Sequence, residues 1–313
     1  MKLDIPRGKY VVAVSGGVDS MVLLDMLAKQ VTGDRLRVTD EKKKNSNLQP
    51  LTSNLELVVA HFNHGIRPDS AKDEELVCLA AKRYQLPLET GQGKLGPAAS
   101  EEQAREARYR FLNQVKEKHQ ADAVITAHHQ DDLIETAIIN LLRGTGRRGL
   151  TAISENPAII RPLLRLSKED LLAYAKKNKI EWQEDPTNTD EKYLRNFVRR
   201  RIIPELSDSQ RLEFLQKIRN LSLTNQIINQ EIENLSQKII KGKTIYRAGF
   251  ISLPAEVANE VLVHFLRQND IRGFDKRTID RLTIAIKTAK AGTKHEVAKG
   301  VKFEVTHSSV LLE

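Results

Sequence analysis

The sequence predicts an α/β fold, a doubly wound and mostly parallel sheet followed by a smaller C-terminal α+β domain. Three short apolar runs, at residues 9–14, 55–62 and 122–127, are typical of strands that are buried on both faces of a parallel sheet. Helical patterns alternate with these runs, and such alternation indicates βαβ units. Because the carboxyl ends of parallel strands meet at one edge of the sheet, we expect the ligand-binding loops there.

The predicted helices between the strands lie at residues 18–30, 69–85, 99–119 and 131–143, where the residue pattern is helical. Residues 32–54 interrupt this regularity, because the stretch is polar and lacks a period. We therefore expect a flexible surface insertion there.

The composition changes after Pro204, which places the predicted domain boundary near residue 206. A larger domain is expected at 1–206, and a helical linker with a small domain is expected at 207–313. One or two helices are predicted over 208–240. Further helices and short strands are predicted at Glu256–Gln268, Lys276–Ala289, Lys294–Val297, Val301–Val305 and Ser309–Leu312.

Bulk composition restricts the classes of function. The 313 residues carry a net charge of +9, which favours a polyanionic partner. The single cysteine, Cys78, excludes an intrachain disulfide and a cysteine-rich zinc or iron–sulfur site. Cys78 lies in an amphipathic helical stretch, so we expect a buried structural thiol. No apolar run approaches the roughly 20 residues of a membrane span, and we expect a cytoplasmic protein.

The strongest functional signal is the segment Ser15–Ser20, which reads SGGVDS directly after the first predicted strand. Its two glycines let backbone N–H groups approach an anion, and the helix that follows favours negative charge. Its serines add donors, and Asp19 adds a carboxylate that can hold magnesium. The segment lacks the lysine of the G-x-x-x-x-G-K-[ST] loop. We therefore predict a phosphate-binding loop of a different type.

A second cluster, Thr126–Thr136, reads TAHHQDDLIET and follows the third predicted strand. On a helix, Glu135 shares a face with Asp131 and with Asp132. Such carboxylates suit Mg²⁺ beside a triphosphate, and a neighbouring histidine suits phosphate binding or proton transfer. Zinc would need a convergent ligand set, and the repeated Glu-x-x-His pattern of di-iron proteins is missing. A dipole-stabilised helix start explains the two aspartates, but it does not explain the adjacent histidines.

Two further segments carry weaker signals. His61–Arg67 reads HFNHGIR and follows the second predicted strand, although a single loop histidine is often structural. Glu101–Arg110 is helical and has glutamate–arginine pairs at i,i+4, which a solvated face also explains. One of its arginines is expected to reach phosphate or RNA.

The densest basic stretch is Tyr193–Arg201, which follows a turn signal, DPTN, at residues 185–188. Guanidinium groups bind phosphate bidentately, so we predict contact with an anion. Gly144–Gly149 matches G-x-G-x-x-G, but it follows a helix rather than a strand, so the dinucleotide fingerprint fails. We predict a flexible turn there, with Arg147 and Arg148 facing phosphate or substrate.

Together these segments resemble the tRNA(Ile)-lysidine synthetases of the PP-loop ATP pyrophosphatase superfamily. The resemblance covers residues 9–201, in the family's order, with SGGVDS, HFNHGIR, AREARYR, TAHHQDDLIET, LLRGTGRRGL, RPLL, and DPTN followed by RNFVRR. It implies an adenine nucleotide α-hydrolase-like catalytic domain at 1–206 and a tRNA-binding role for 207–313.

The resemblance implies a ligase that forms a carbon–nitrogen bond. ATP would adenylate the C2 oxygen of the wobble cytidine in tRNA(Ile) with a CAU anticodon, and pyrophosphate would leave. The ε-amine of L-lysine would then displace AMP and form lysidine. ATP and Mg²⁺ are the implied cofactors, no membrane is involved, and a homodimer is favoured.

Site residues follow from the same resemblance. The expected ATP-binding residues are Ser15, Gly16, Gly17, Val18, Asp19, Ser20 and His128. Magnesium is expected on Asp19 together with Asp131 or Asp132. Contacts with tRNA are expected from Arg147, Arg148, Arg199, Arg200 and Arg201.

The remaining expected roles concern the reacting groups. Arg105 and Arg195 are expected to stabilise charge in the transition state. Glu135, or Asp132 in its place, is expected to orient the lysine amine.

The alternative is another PP-loop tRNA-modifying or small-molecule adenylating ligase. Many related thiolases use a cysteine pair or an iron–sulfur cluster, which Cys78 alone cannot supply. NAD and GMP synthetases need no tRNA, and the basic charge with the tRNA-type motifs argues against them. A non-catalytic RNA-binding protein is disfavoured by the intact SGGVDS and HHQDDLIET segments.

Overall fold

The computed structural model describes residues 3–44, 55–65, 70–93, 96, 100–153, 158–184, 194–298 and 300–313. The chain divides into two compact units, Met1–Asn220 and Leu221–Glu313. The predicted boundary near residue 206 stays a prediction. No helix within the described ranges combines the length and the apolar character that crossing a membrane requires.

The first unit contains a five-stranded parallel sheet. Its strands are β1 (Gly8–Ala13), β2 (Leu55–Asn63), β3 (Leu88–Gln92), β4 (Ala123–Ile125) and β5 (Ile159–Ile160). Their spatial order is β3-β2-β1-β4-β5, and every pair is parallel. The order therefore reverses at β1, and the carboxyl ends of β1 and β4 lie side by side at the switch point where such sheets bind ligands. The predicted doubly wound fold is confirmed.

Helices cover both faces of this sheet. The helices that begin in the first unit are α1 (Val18–Lys44), α2 (Ser70–Arg83), α3 (Glu101–Lys118), α4 (Gln130–Leu142), α5 (Arg147–Leu150), α6 (Lys168–Lys177), α7 (Leu194–Phe197) and α8 (Asp208–Ile239). Consecutive strand residues face opposite sides, so Val12 packs with Leu23 of α1 and Leu171 of α6. Its neighbour Val11 packs with Leu112 of α3. Burial on both faces explains the uninterrupted apolar runs.

The structure differs from the expectation of a flexible insertion for residues 32–44. Helix α1 continues to Lys44, well beyond the predicted end at residue 30. The extension contains no proline and carries three lysines and two arginines, which favour helix. Residues 45–54 lie outside the described residues.

The expectation of a buried Cys78 is wrong, because its thiol is exposed. The buried positions of α2 are Asp73, Val77 and Ala81, at a spacing of four residues. Cys78 follows Val77 by one residue, and a single helical step of about 100° turns it away from that face.

The second unit is built on an antiparallel sheet with helices. Following α8, its elements are β6 (Ile240–Lys241), β7 (Thr244–Tyr246), α9 (Arg247–Ile251), α10 (Ala255–Gln268), α11 (Lys276–Thr288), β8 (Thr293–Ala298), β9 (Val301–Val305) and β10 (Ser309–Leu312). The strand order is β6-β7-β10-β9-β8. Phe250, Phe265 and Phe303 are fully buried at the centre of its core. The predicted helices and strands from residue 256 onward are confirmed, whereas β6, β7 and α9 were not predicted.

Candidate active site

The Ser15–Ser20 loop joins β1 to α1 and is closed by its own hydrogen bonds. The Ser15 N–H donates to Ser20 Oγ at 3.1 Å, and Ser20 Oγ donates to the Gly17 carbonyl oxygen at 2.9 Å. Gly16 has φ +91°, and a Cβ there would lie 3.2 Å from the Asp73 Cβ. Glycine is therefore required at this position by both backbone conformation and space. The result is a fixed loop at the N-terminus of α1, which favours an anion.

A cavity of about 780 Å³ opens at the carboxyl ends of β1, β2 and β4. Its lining includes Ser15, Gly17, Val18, Asp19, Ser20, His61, Asp73, Arg108, His128, Asp132, Lys168 and Arg199. The structure therefore brings together most of the predicted ATP-binding residues with one carboxylate of α4.

His129 links two of the predicted magnesium carboxylates. Its Nε2 lies 3.7 Å from Asp19 Oδ2 and 3.5 Å from Asp132 Oδ2. The His129 N–H donates to Asp132 Oδ2 at 2.9 Å, as part of the capping box that begins α4. Lys168 Nζ lies 2.7 Å from Asp19 Oδ1. Burial opposes charge on Asp132, but His129, His128 and the His129 N–H outweigh it and lower its pKa.

Asp131 is directed toward a different partner. Its Oδ1 lies 3.4 Å from Arg211 Nη1 of α8. Burial raises the pKa of Asp131, although His129 and Arg211 oppose the rise. The two neighbouring aspartates of α4 thus have different environments. Asp131 pairs with Arg211, whereas the side chains of Asp132 and Asp19 both lie near His129.

Glu135 is the most deeply buried carboxylate of α4, and two arginines bind it. Arg199 Nη2 lies 2.8 Å from Glu135 Oε2, and Arg195 Nε contacts Oε1. Arg199 Nη2 also lies 3.3 Å from Asp132 Oδ1. Burial raises the pKa of Glu135 while the two arginines oppose it. Glu135, which was expected to orient the lysine amine, therefore forms an ion pair with Arg195, which was expected to stabilise the transition state.

The two arginines reach Glu135 from one short segment. Arg195 lies in α7, and Arg199 lies in the π-helical turn Val198–Ile202 that follows. Their spacing of four residues places both guanidinium groups on the same carboxylate. π-Helical turns are rare in proteins, and those that occur are often found at functional sites.

His128 follows β4 and is held by the strand end. Its Nδ1 lies 2.8 Å from Thr126 Oγ1. Burial lowers the pKa of His128 to about 4; Asp132 opposes this shift, while Arg161 and two arginines of α3 act in the same direction as burial. His128 is therefore uncharged at neutral pH.

Arg105 belongs to a group of arginines around one aromatic ring. The Arg105 Cζ lies 5.0 Å from the centroid of the Tyr109 ring, and the Arg108 Cζ lies 5.5 Å from it. Arg108 also lines the cavity. These distances are in the range of cation–π contacts, which hold the guanidinium groups without neutralising them.

The predicted tRNA-binding arginines occupy two places. Arg147 and Arg148 are half-buried in α5. The GTGRRG segment follows helix α4, but the expectation of a flexible turn is wrong for residues 147–149, because the Gly149 and Leu150 N–H groups donate to the Gly146 carbonyl oxygen and form the helical turn α5. Arg200 and Arg201 are exposed, whereas Arg199 faces the cavity. The predicted DPTN turn, Tyr193, and Ile66–Arg67 of the HFNHGIR segment lie outside the described residues.

Three residues near the site had not been singled out from the sequence. They are Asp73, Lys168 and Arg211, which contact Gly16, Asp19 and Asp131 from distant parts of the chain. A local signal existed only for Lys168, because the capping box from Ser167 to Asp170 marks the start of α6. No local pattern identifies the other two.

The donor groups of the site suit magnesium better than zinc. Among the described residues, no group of three or more His, Cys, Asp or Glu side chains could hold a metal ion. Zinc, which takes about four convergent ligands, therefore does not fit. Magnesium takes one or two carboxylates and completes its shell with water and phosphate oxygens, so Asp19 and Asp132 fit it.

The chain is similar to one domain family and to several named proteins. Residues 2–206 match the family model for the PP-loop domain. Three similar proteins are called tRNA(Ile)-lysidine synthase. The Thermotoga maritima protein is 36% identical over 212 residues, covering 65% of this chain and 47% of its own. The Thermosipho africanus protein is 34% identical over 295 residues, which cover 88% of this chain and 61% of that protein. The Pseudothermotoga lettingae protein is 35% identical over 264 residues, which cover 79% of this chain and 52% of that protein. The chain thus spans between 47% and 61% of the length of these relatives.

Proposed function

The chain belongs to the PP-loop domain family, and on that premise we propose that it is an ATP-dependent ligase. We propose that it attaches L-lysine to C2 of the wobble cytidine in tRNA(Ile) with a CAU anticodon. The observation that carries the proposal is that the Ser15–Ser20 loop, His128 and Asp132 line one cavity of about 780 Å³. The relatives named tRNA(Ile)-lysidine synthase support this choice of substrates. A cytoplasmic location follows from the proposed tRNA substrate.

The first step requires that the phosphates of ATP be held while the cytidine C2 oxygen attacks the α-phosphorus. The Ser15–Ser20 loop would bind the β- and γ-phosphates through backbone N–H groups at the start of α1. His128, which burial keeps uncharged, would hydrogen bond to a phosphate oxygen. The bond from the α-phosphorus to the bridging oxygen would break, and pyrophosphate would leave.

Asp19 and Asp132 would hold Mg²⁺, which supplies neutralisation of the pyrophosphate leaving group. Two observations favour Asp132 over Asp131 for this role. Asp132 shares His129 with Asp19, and Asp132 lines the cavity whereas Asp131 is not among its lining residues. Lys168 would hold the second oxygen of Asp19 in place.

Arg195, Arg199 and Arg105 would stabilise the negative charge that develops on the phosphate. Glu135 supports this role by binding Arg195 and Arg199 together, which fixes the directions of their guanidinium groups. In the second step the lysine ε-amine attacks C2 and AMP leaves. The role of Glu135 or Asp132 in orienting that amine stays a prediction.

The tRNA would contact the basic groups outside the cavity. Arg147 and Arg148 in α5, with the exposed Arg200 and Arg201, would bind its phosphates. Within residues 207–313, we propose the small domain that follows the helical linker as a further tRNA contact, and a homodimer as the assembly.

The decisive experiment incubates the protein with ATP, radiolabelled lysine and an unmodified tRNA(Ile) transcript that carries the CAU anticodon. Incorporation of label into the RNA supports the proposal. Methionine tRNA with the same anticodon is the matched RNA control. Pyrophosphate release without tRNA would instead indicate a small-molecule ligase, and binding without turnover would indicate an RNA-binding module.

The matched variants for this assay are Asp19→Asn and Glu213→Gln. Asp19→Asn is expected to reduce lysine transfer by at least about 100-fold, because it weakens the binding of the magnesium that would neutralise the leaving pyrophosphate. Glu213 is exposed and pairs with Lys217 on the surface of α8, so its variant is expected to keep wild-type activity. Equal activity of the two variants contradicts the assigned site.

A further inference from the structure

His61 has a ring nitrogen that finds no hydrogen-bond partner among the residues that the structure describes. The side chain is in β2, and the residue is only 2% exposed. Its Nδ1 lies 2.9 Å from the carbonyl oxygen of Val14. Because a carbonyl oxygen can only accept, Nδ1 must carry a proton, and in the neutral ring Nε2 is then an acceptor. Nε2 is buried and makes no hydrogen bond to any described residue.

The position of His61 connects this nitrogen to the nucleotide site. His61 lines the same cavity as the Ser15–Ser20 loop. Strand β2 is the direct neighbour of β1, and the Val14 N–H donates to the Ala60 carbonyl oxygen at 2.9 Å. In the doubly wound sheets that bind dinucleotides, the loop after the first strand holds the phosphates, and a residue near the end of the adjacent strand contacts the ribose. The nucleoside half of ATP would therefore lie near His61.

We propose that His61 Nε2 accepts a hydrogen bond from the nucleoside half of ATP, which makes His61 a specificity-determining residue. Buried polar atoms in proteins normally have hydrogen-bond partners, so a donor group of the ligand would supply the partner that Nε2 lacks among the described residues. The nucleoside offers two kinds of donor, the 6-amino group of adenine and the ribose hydroxyls. Guanine presents an acceptor oxygen where adenine has the amino group, so GTP would place two acceptors against each other. The inference rests on the proposed function in taking ATP as the nucleotide.

The test measures equilibrium binding of nucleotides, which does not depend on lysine transfer. The ligands are ATP, purine riboside triphosphate (which lacks the 6-amino group), 2′-deoxy-ATP and 3′-deoxy-ATP. The wild-type protein is expected to bind one of these analogues about tenfold more weakly than ATP, and that analogue identifies the donor. If the wild-type protein binds all three analogues as tightly as ATP, the proposal is overturned. This result needs no variant, so it does not depend on whether the variants fold.

The variants are chosen to separate the two ring nitrogens. His61→Asn keeps a donor for the Val14 carbonyl oxygen and removes Nε2, whereas His61→Gln restores an acceptor near the Nε2 position. His61→Asn is expected to weaken ATP binding about tenfold and to bind the identified analogue as well as it binds ATP. His61→Gln is expected to recover part of the loss. His119→Asn is the matched control, because His119 pairs with Glu89 at the end of α3.

Three results would overturn the role of His61. The first is wild-type ATP binding by His61→Asn. The second is an equal loss for ATP and every analogue, which indicates a structural role. The third is a change in lysine KM alone, which indicates that the ε-amine is the donor. Failure of lysine transfer with intact ATP binding would contradict the proposed function and leave the His61 measurement valid.

Discussion

At the scale of single residues, the site depends on which partner each carboxylate has. Asp19 is held by Lys168 and lies near His129, and Asp132 is held by the start of α4 and Arg199. The adjacent Asp131 pairs with Arg211. The motif HHQDDLIET predicts carboxylates at this place, but the letters alone do not distinguish its two aspartates.

The two aspartates should therefore respond differently to the same substitution. We expect Asp132→Asn to reduce kcat/KM for lysine transfer by about 100-fold or more, and to raise the Mg²⁺ concentration needed for half-maximal rate. Asp131→Asn is its matched control and should cost less than tenfold, since it weakens a contact to Arg211. Full lysine transfer by both variants would show that the magnesium assignment is wrong.

His128 predicts a pH dependence of stability. Burial lowers its pKa to about 4, so the unfolded chain binds the proton more tightly than the folded chain does. The contribution of His128 to stability should therefore be constant above the ordinary histidine pKa of about 6.5 and fall as the pH drops toward 4. His128→Asn should flatten this part of the curve. The measurement is the free energy of unfolding in urea between pH 4 and pH 7.5.

The control for this prediction is His307→Asn, which changes an exposed histidine outside the cavity, and its curve should keep the slope of the wild-type protein. An unchanged slope in His128→Asn would contradict the assignment of the neutral form to His128.

At the scale of elements, a carboxylate of α4 joins that helix to α7 and the π-helical turn. Glu135 binds Arg195 and Arg199, which come from consecutive elements four residues apart. Packing of Ile134 and Ile139 against Val198 and Ile203 supports the same contact. The direction of the two guanidinium groups therefore depends on this joint rather than on either helix alone.

Removing the charge of Glu135 should loosen this joint. We expect Glu135→Gln to lower the free energy of unfolding by about 1–3 kcal/mol, because two partly buried arginines lose their shared counter-charge. It should also reduce lysine transfer by at least about tenfold, with kcat affected more than the KM for ATP. Urea unfolding and steady-state kinetics measure the two effects.

Glu213→Gln is the matched control, because Glu213 is exposed and pairs only with Lys217 among the ion pairs of the described residues. Loss of stability without any change in kcat would limit Glu135 to a structural role.

At the scale of the whole molecule, the net charge of +9 favours a polyanionic partner. The exposed Arg200 and Arg201 lie close in sequence to Arg199, which lines the cavity. A tRNA that presents a base to the cavity would thus meet these arginines with its backbone.

Binding of tRNA should accordingly weaken with salt. We expect the affinity to fall with increasing KCl, and the double variant Arg200→Gln, Arg201→Gln to reduce the slope of log K against log[salt] by about 1–2. Filter binding between 50 and 300 mM KCl, about the range in which such effects are large, measures the slope. Lys118→Gln is the control, because Lys118 pairs with Glu89. A slope equal to that of the wild-type protein would remove these two arginines from the interface.

Much of the fold could be predicted from the sequence because burial on both faces leaves uninterrupted apolar runs. The predicted strands at 9–14 and 55–62 agree with β1 and β2 to within one residue at each end. Strand β3, which reads LETGQ, and the two-residue strand β5 were missed. They carry little apolar pattern and are defined by pairing with β2 and β4. Lys168 was missed for a related reason, since 149 residues separate it from Asp19.

The sequence by itself determined the parallel sheet, the Ser15–Ser20 loop and the histidine–carboxylate motif, because periodicity and turn chemistry are local properties. Only the tertiary structure decided that Asp132 rather than Asp131 joins Asp19, and that Glu135 binds Arg195 and Arg199. It also decided that His61 turns one ring nitrogen to Val14 and leaves the other without a protein partner among the described residues. Partners of this kind are distant in the chain, and only the strand order and the helix packing bring them within hydrogen-bond distance.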